Sequence, residues 1–220
     1  MAAHLLRALD GLQRDLIALA GLVEDAIHKS IRALQTRNLD LAREVIECDA
    51  QIDSEDNHVY EECLKILALH QPVATDLRRI VSVMMITTDL ERMGDLAEEI
   101  AERAISLTGT AHVPIPEKLQ RMADLTTMMV RQSLDSFVNL NHTQAERVRR
   151  MDDEVDRYNE EIIQELIKAM QSNPEMVDPG LSMFSATRHL ERIADHATKI
   201  AEDVIYLIGG ELVRHRNPPA

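Results

Sequence analysis

The chain has 220 residues, 45% of them hydrophobic and only 2% aromatic, with a formal net charge of −14. That length and apolar content can bury a real core in one large or two small domains, and a chain rich in Leu, Ile, Ala, Met, Glu and Arg favours helices packed on helices over sheets. The acidic balance argues against a binder of nucleic-acid backbone or of an anionic membrane face: the basic clusters Arg78-Arg79, Arg147-Arg149-Arg150 and Arg214-His215-Arg216 are short, interleaved with acids, and read as solvated surface.

In chain order, the amino terminus MAAHLLRALDGLQRDL breaks its apolar residues with Arg, Asp and Gln, so it lacks the apolar heart of a signal peptide, and a cytoplasmic protein is expected. Apolar periodicity near 3.6 then predicts six long helices, from about Leu5 to Arg37, Leu39 to Leu69, Ala74 to Leu107, Ile115 to Asn139, Thr143 to Met170 and Pro179 to Ile208. Asn38 is placed to cap the second helix, and Gln71-Pro72 interrupts before the third. Thr143 with Glu146 reads as a capping box, and Asp178-Pro179 as a cap followed by proline at the first helical position. Gly209-Gly210 ends the last helix. The richest break, LTGTAHVPIPE, falls mid-chain at Leu107 to Glu117.

The two sides of that break repeat each other. A shift of 103 places Ala42, Val45, Asp49 and Asp53 on Ala145, Val148, Asp152 and Asp156. A shift of 100 places LERMGDLAEEIAE, starting at Leu90, on LERIADHATKIAE, starting at Leu190, with eight identities in thirteen positions. The expected fold is therefore all-α: two tandem three-helix bundles, residues 1–110 and 111–220, related by an approximate twofold. Ile52, Val59, Met93, Ile100, Val155, Ile162, Ile193 and Ile200 are expected in the core. Cys48 and Cys63 align with Met151 and Leu166, so apolar packing is their expected role.

Residues four apart on a helix lie about 40° apart around its axis, so Glu91 and Asp95 project together, with Glu98 and Glu102 extending an acidic stripe. Asp49 with Asp53, and Asp152 with Asp156, flank the apolar stripe of their helices and thus approach a neighbouring helix. Packed side by side, each half gathers four carboxylates: Asp49, Asp53, Glu91 and Asp95, then Asp152, Asp156, Glu191 and Asp195. Crowded like charges need compensation, and a hard or borderline cation such as iron, manganese, zinc, magnesium or calcium supplies it. Solvated helix faces are often acidic without any ion. What favours metal is that both pairs persist while neighbours drift, Glu98 to Thr198 and Glu99 to Lys199.

QPVATDLRRI at Gln71, DLERMGDLAEEIAE and HLERIADHATKIAEDVIYLIGG resemble the PhoU family of bacterial phosphate-uptake regulators, and the similarity spans essentially the whole chain. The resemblance implies a non-enzymatic cytoplasmic protein, a negative regulator of phosphate uptake and of the phosphate-starvation response. It implies partners in the ATPase of a phosphate ABC transporter and in a sensor histidine kinase, contact with the membrane only through them, no nucleic acid, and a homodimer. It also implies metal ions, iron or zinc foremost and magnesium or manganese otherwise, on the eight carboxylates named. Ala194 and His196 replace Gly94 and Leu96 in the second motif, which puts equal filling of the two sites in question. The rival readings are a purely structural helical repeat or adaptor without metal, an accessory to a different phosphate permease, and a carboxylate-bridged metalloenzyme. The last has only Glu55-x-x-His58, whose repeat equivalent ends in Glu161, and no histidine beside a nucleophile in a recognisable motif.

Overall fold

The structure, a computed structural model, describes residues 2–108 and 115–210. Six long helices make it up: α1 (Ala2–Thr36), α2 (Leu39–His70), α3 (Ala74–Ser106), α4 (Glu117–Val138), α5 (His142–Ser172) and α6 (Val177–Gly209), with a 3-10 turn at Pro174–Met176 and no strand among the described residues. Most of the mid-chain break, residues 109–114, lies outside the described residues, as does the Arg214-His215-Arg216 cluster.

The helix ends follow local chemistry. Asn38 caps α2 as expected, its side chain accepting from the amides of Asp40 and Leu41 at 3.0 and 3.2 Å. Gly210, at φ 73°, closes α6 in the left-handed conformation with its N–H on the Tyr206 carbonyl at 2.8 Å. Two expected starts are displaced. Asn141 caps α5, accepting from Gln144 N at 3.1 Å, so Thr143 already lies inside the helix and Glu146 turns to Arg149 instead. Asn173 accepts from Glu175 N at 3.0 Å and opens the 3-10 turn, so Asp178-Pro179 sits within the first turn of α6 rather than ahead of it. In the first case an asparagine just upstream captures the free amides; in the second it caps the 3-10 turn, which runs straight into α6, whose own N-cap, Met176, makes no side-chain cap bond.

α1, α2 and α3 pack on one another, α4, α5 and α6 do the same, and α3 lies against α6. Position in this scheme explains the burial patterns. The outer helices α2 and α5 bury one narrow stripe, Val45, Ile52 and Val59 in the first and Val148, Val155 and Ile162 in the second. The central helices α3 and α6 are covered on several sides and bury many more positions, among them Leu90, Met93, Ala97 and Ile100, then Leu190, Ile193, Ala197 and Ile200. All eight residues expected in the core are at most 1% exposed, and the apolar interiors of the two halves merge across the α3–α6 contact. Cys63 is buried, Cys48 is half-buried, and both are free thiols.

α3 and α6 run antiparallel, as Ser106 beside Ser182, Glu99 beside His189 and Asp89 beside His196 require. Basic residues of two clusters depart from expectation: Arg78 and Arg79 are half-buried, with Arg79 donating to the Gln13 side chain on α1, and Arg149 is buried. Arg149 is only 7% exposed; its guanidinium lies between Glu146 at 3.3 Å and Glu202 at 3.4 Å, so this member of its cluster is an internal ion pair and not solvated surface.

Candidate metal centre

In the first half, α2 presents Asp49 and Asp53, and α3 presents Glu91, Asp95 and Glu98 on the face turned to α2. One carboxylate oxygen from each of Asp49, Asp53 and Asp95 comes within 4.8 Å of the other two. Glu91 stands just outside this trio. Arg92 straddles it and its neighbour, with Nε 3.4 Å from Glu91 Oε2 and Nη1 donating to Asp95 Oδ2 at 3.0 Å.

The electrostatics follow from crowding. Partial burial, then the charges of Asp53 and Asp95, push Asp49 above the ordinary carboxylate range. Glu91 is raised by burial and by Asp95, with Asp56 and Asp53 adding to it and Arg92 opposing. Glu98 is raised by burial and by Asp49, Glu102, Asp95 and Asp53. Asp49 Oδ1 is shut off from solvent and has no hydrogen-bond partner among the described residues. Three convergent carboxylates, one of them with a buried oxygen left without a partner, are the donor set that a hard cation takes, so the residues present fit a metal.

The second half gathers its four carboxylates as well, in a different balance. Asp152 is pushed up to about 6 by burial and by Asp195 and Asp156. Burial and Asp195 likewise raise Asp156 and Glu191. Among the described residues no three carboxylates of this set come as close as the first trio. Arg188 donates to Glu191 Oε1 at 2.9 Å, and a threonine, Thr198, faces Asp152 where Glu98 faces Asp49.

All eight expected carboxylates thus lie in two groups, one per half; Asp56 and Glu98 add to the first, and Asp153 and Glu160 add to the second. Asp56 and Glu98 each fall seven residues after a motif member, Asp49 and Glu91, on the same face. Their equivalents are Asn159 and Thr198, so a search for charges kept in both halves discards them. Helical register alone would have found them.

The histidines are cross-links in the α3–α6 seam. His196 Nδ1 lies 2.7 Å from Asp89 Oδ1, and His189 Nδ1 lies 2.8 Å from Glu99 Oε2, with burial lowering the His189 pKa. Ser185 Oγ is 2.8 Å from His189 Nε2, a pair that the sequence did not reveal, while His189 Nδ1 and Glu99 Oε2 are close but misaligned for a hydrogen bond, so no serine–histidine–carboxylate relay is formed. Ser185 lies inside α6, whose amides are committed to helical hydrogen bonds, so no backbone donors face it as an oxyanion hole. His58 is exposed, 3.9 Å from Asp15, and belongs to neither carboxylate group.

The family model for the PhoU domain matches the chain twice, over residues 16–104 and 119–204. The chain belongs to the PhoU family. Among its PhoU relatives, the homologue from Pseudomonas putida is 39% identical over 208 residues, covering 94% of this chain and 81% of that protein. The homologue from Aquifex aeolicus is 38% identical and covers 97% of this chain and 96% of its own length. Each is named a phosphate-specific transport system accessory protein. The crystal structure of PhoU from Pseudomonas aeruginosa superposes with a TM-score of 0.89 at 37% identity, covering 93% of this chain and 99% of that one. The phosphate transport system regulatory protein PhoU from Streptococcus pneumoniae also gives 0.89, at 30% identity. The PhoU fold of six long helices in two similar halves is therefore shared, and among the described residues no helix is long and apolar enough to cross a membrane.

Proposed function

We propose that this PhoU-family protein is a cytoplasmic, non-enzymatic regulator that restrains phosphate uptake and the phosphate-starvation response. It does so by contact, with the ATPase of a phosphate ABC transporter and with the cytoplasmic part of a sensor histidine kinase. The observation that carries the reading is family membership over nearly the whole chain, with relatives named as accessories of phosphate-specific transport. The reading includes metal ions at the two carboxylate groups. Asp49, Asp53 and Asp95 would hold one cation, with Glu91, Asp56 and Glu98 within reach of its field; Asp152, Asp156, Glu191 and Asp195 would hold the other. A cation there neutralises mutual repulsion and resets the charge of a long helical face, which is a means of tuning partner contact. Oxygen-only donors suit magnesium, manganese and iron, and zinc also accepts carboxylates.

Deleting the gene is expected to derepress phosphate-starvation genes in phosphate-rich medium, and affinity capture of the tagged protein is expected to recover the transporter ATPase or the sensor kinase. Normal regulation in the deletion strain, with no related gene to substitute, would refute the assignment. Capture of a single-component phosphate permease instead would favour the second reading, an accessory to a different transporter.

A further inference from the structure

Besides the α3–α6 seam, the two halves meet where α1 lies against α4. Gln35 Nε2 donates to Gln120 Oε1 at 2.6 Å across this contact, and Gln120 Nε2 donates on to Asp124 Oδ1 at 2.8 Å. These bonds cross a groove of about 680 Å³ between α1, the start of α2 and α4. A second groove of about 190 Å³ lies farther along the same helix pair, lined by Ile17, Gly21, Leu134 and Val138 with the acids Glu24 and Asp135.

The two grooves are equivalent by the repeat. Asn38 and Asn141 cap α2 and α5, so α1 maps onto α4 by 103 residues. Under that shift Arg32, Gln35, Gln120 and Asp124 of the large groove correspond to Asp135, Val138, Ile17 and Gly21 of the small one. The duplicated fold therefore dictates neither the size nor the polarity of the large groove, which this chain has acquired on one side only.

The lining has a definite chemistry. Lys29 is spent on Asp25 at 3.0 Å and Glu44 at 3.2 Å. The Arg32 guanidinium lines the groove with no hydrogen bond or ion pair among the described residues, and the His28 ring stands one turn before it on the same helix face. An unpaired guanidinium fork matches an oxyanion bidentately. Asp124 and the Gln35–Gln120 amides offer acceptors to hydroxyl donors on the rest of a ligand, and the volume is that of an organic ligand's site rather than that of a bare ion.

We propose that this groove binds a small hydroxylated oxyanion metabolite, its anionic group on Arg32 and His28 and its hydroxyls on Gln35, Gln120 and Asp124. Such a ligand touches α1 of the first half and α4 of the second, so its binding reports on the junction between halves independently of the carboxylate groups. Calorimetric titration of the full chain in chelator, which keeps those groups free of cations, with glucose 6-phosphate, gluconate and inorganic phosphate tests this. Binding of either sugar anion, weakened about tenfold or more by Arg32→Ala and unchanged by Ile17→Ala in the smaller groove, is the expected result. The preferred sugar anion then tells a phosphate ester from a carboxylate. No binding of either at millimolar concentration overturns the proposal. So does binding that Arg32→Ala leaves intact, or inorganic phosphate binding as tightly as the sugar anions. Arg32 is exposed, and a circular-dichroism melt of the variant checks that it folds.

Discussion

At the residue scale, the two halves differ by a methyl group moved across one contact. Gly94 faces Ile52, and a Cβ added to Gly94 would lie 3.1 Å from Ile52 Cγ2. The equivalent residues of the second half are Ala194 and Val155, one carbon more on α6 and one less on α5. The glycine-to-alanine difference that put equal metal occupancy in question is thus accounted for by core packing, while the carboxylates beside it stay in place. Gly94→Ala alone overpacks this contact, a strain of about 1–3 kcal/mol from which the roughly 1 kcal/mol that alanine gains over glycine inside a helix is subtracted, so a net loss of up to about 2 kcal/mol is expected. Adding Ile52→Val to it reproduces the second-half pair and is expected to recover at least half of that loss. Urea unfolding of the two single variants and the double variant measures the coupling; additive losses would show that the two side chains do not compete for the same space.

At the element scale, the α5–α6 pair carries the most strongly perturbed carboxylate. Asp152 rises from 3.8 to about 6 on folding, so between those values the native chain holds a proton that the unfolded chain has released. Stability must then fall as pH rises from about 4 to about 6, and above that the ionised Asp152 is a standing cost. Asp152→Asn is expected to stabilise the cation-free protein at neutral pH by on the order of 1 kcal/mol after allowance for solvent screening, or about 2–4 °C in Tm. It should also flatten the profile below pH 6. Melting curves in chelator from pH 4 to 8 check this; an unchanged slope would show that Asp152 is already ionised in the native state. A bound cation reverses the logic, since it must displace the proton.

The same scale shows why some helix ends were legible and others not. Asn38 and Gly210 act where the apolar pattern stops, with no competitor nearby. Thr143 and Asp178 carry equally good capping chemistry, yet Asn141 takes the free amides of α5 first, and Asn173 opens a 3-10 turn that carries the chain into α6 before Asp178 is reached. Sequence shows which side chains are able to cap; which one does depends on the order in which the chain reaches them.

At the scale of the molecule, duplication made the fold and most of the site readable, because matching positions in two copies separate constrained residues from drifting ones. Asp49, Asp53, Glu91 and Asp95 and their four equivalents emerged that way, and the structure brings each set together. The same test hid what the halves do not share. Asp56 and Glu98 have neutral equivalents, and Arg188, which holds Glu191, stands opposite Thr88 in the repeat. Arg149 and the His189–Glu99 pair escaped for a different reason: their partners lie on other helices, at distances that no local spacing encodes.

These asymmetries bear on the metal reading. Among the described residues only the first site brings three carboxylate oxygens within 4.8 Å of one another, and its Glu98 is replaced by a neutral threonine at the second, so the first should bind a hard cation more tightly. Cation titration of the chelator-stripped protein, parent against the Asp49→Asn, Asp53→Asn, Asp95→Asn triple variant, tests that account most directly. The parent is expected to bind in two phases, and the variant to lose the tighter one while keeping its helical circular dichroism. A parent that takes up no cation, or a triple variant that binds as the parent does, would contradict it and return these carboxylates to solvated surface.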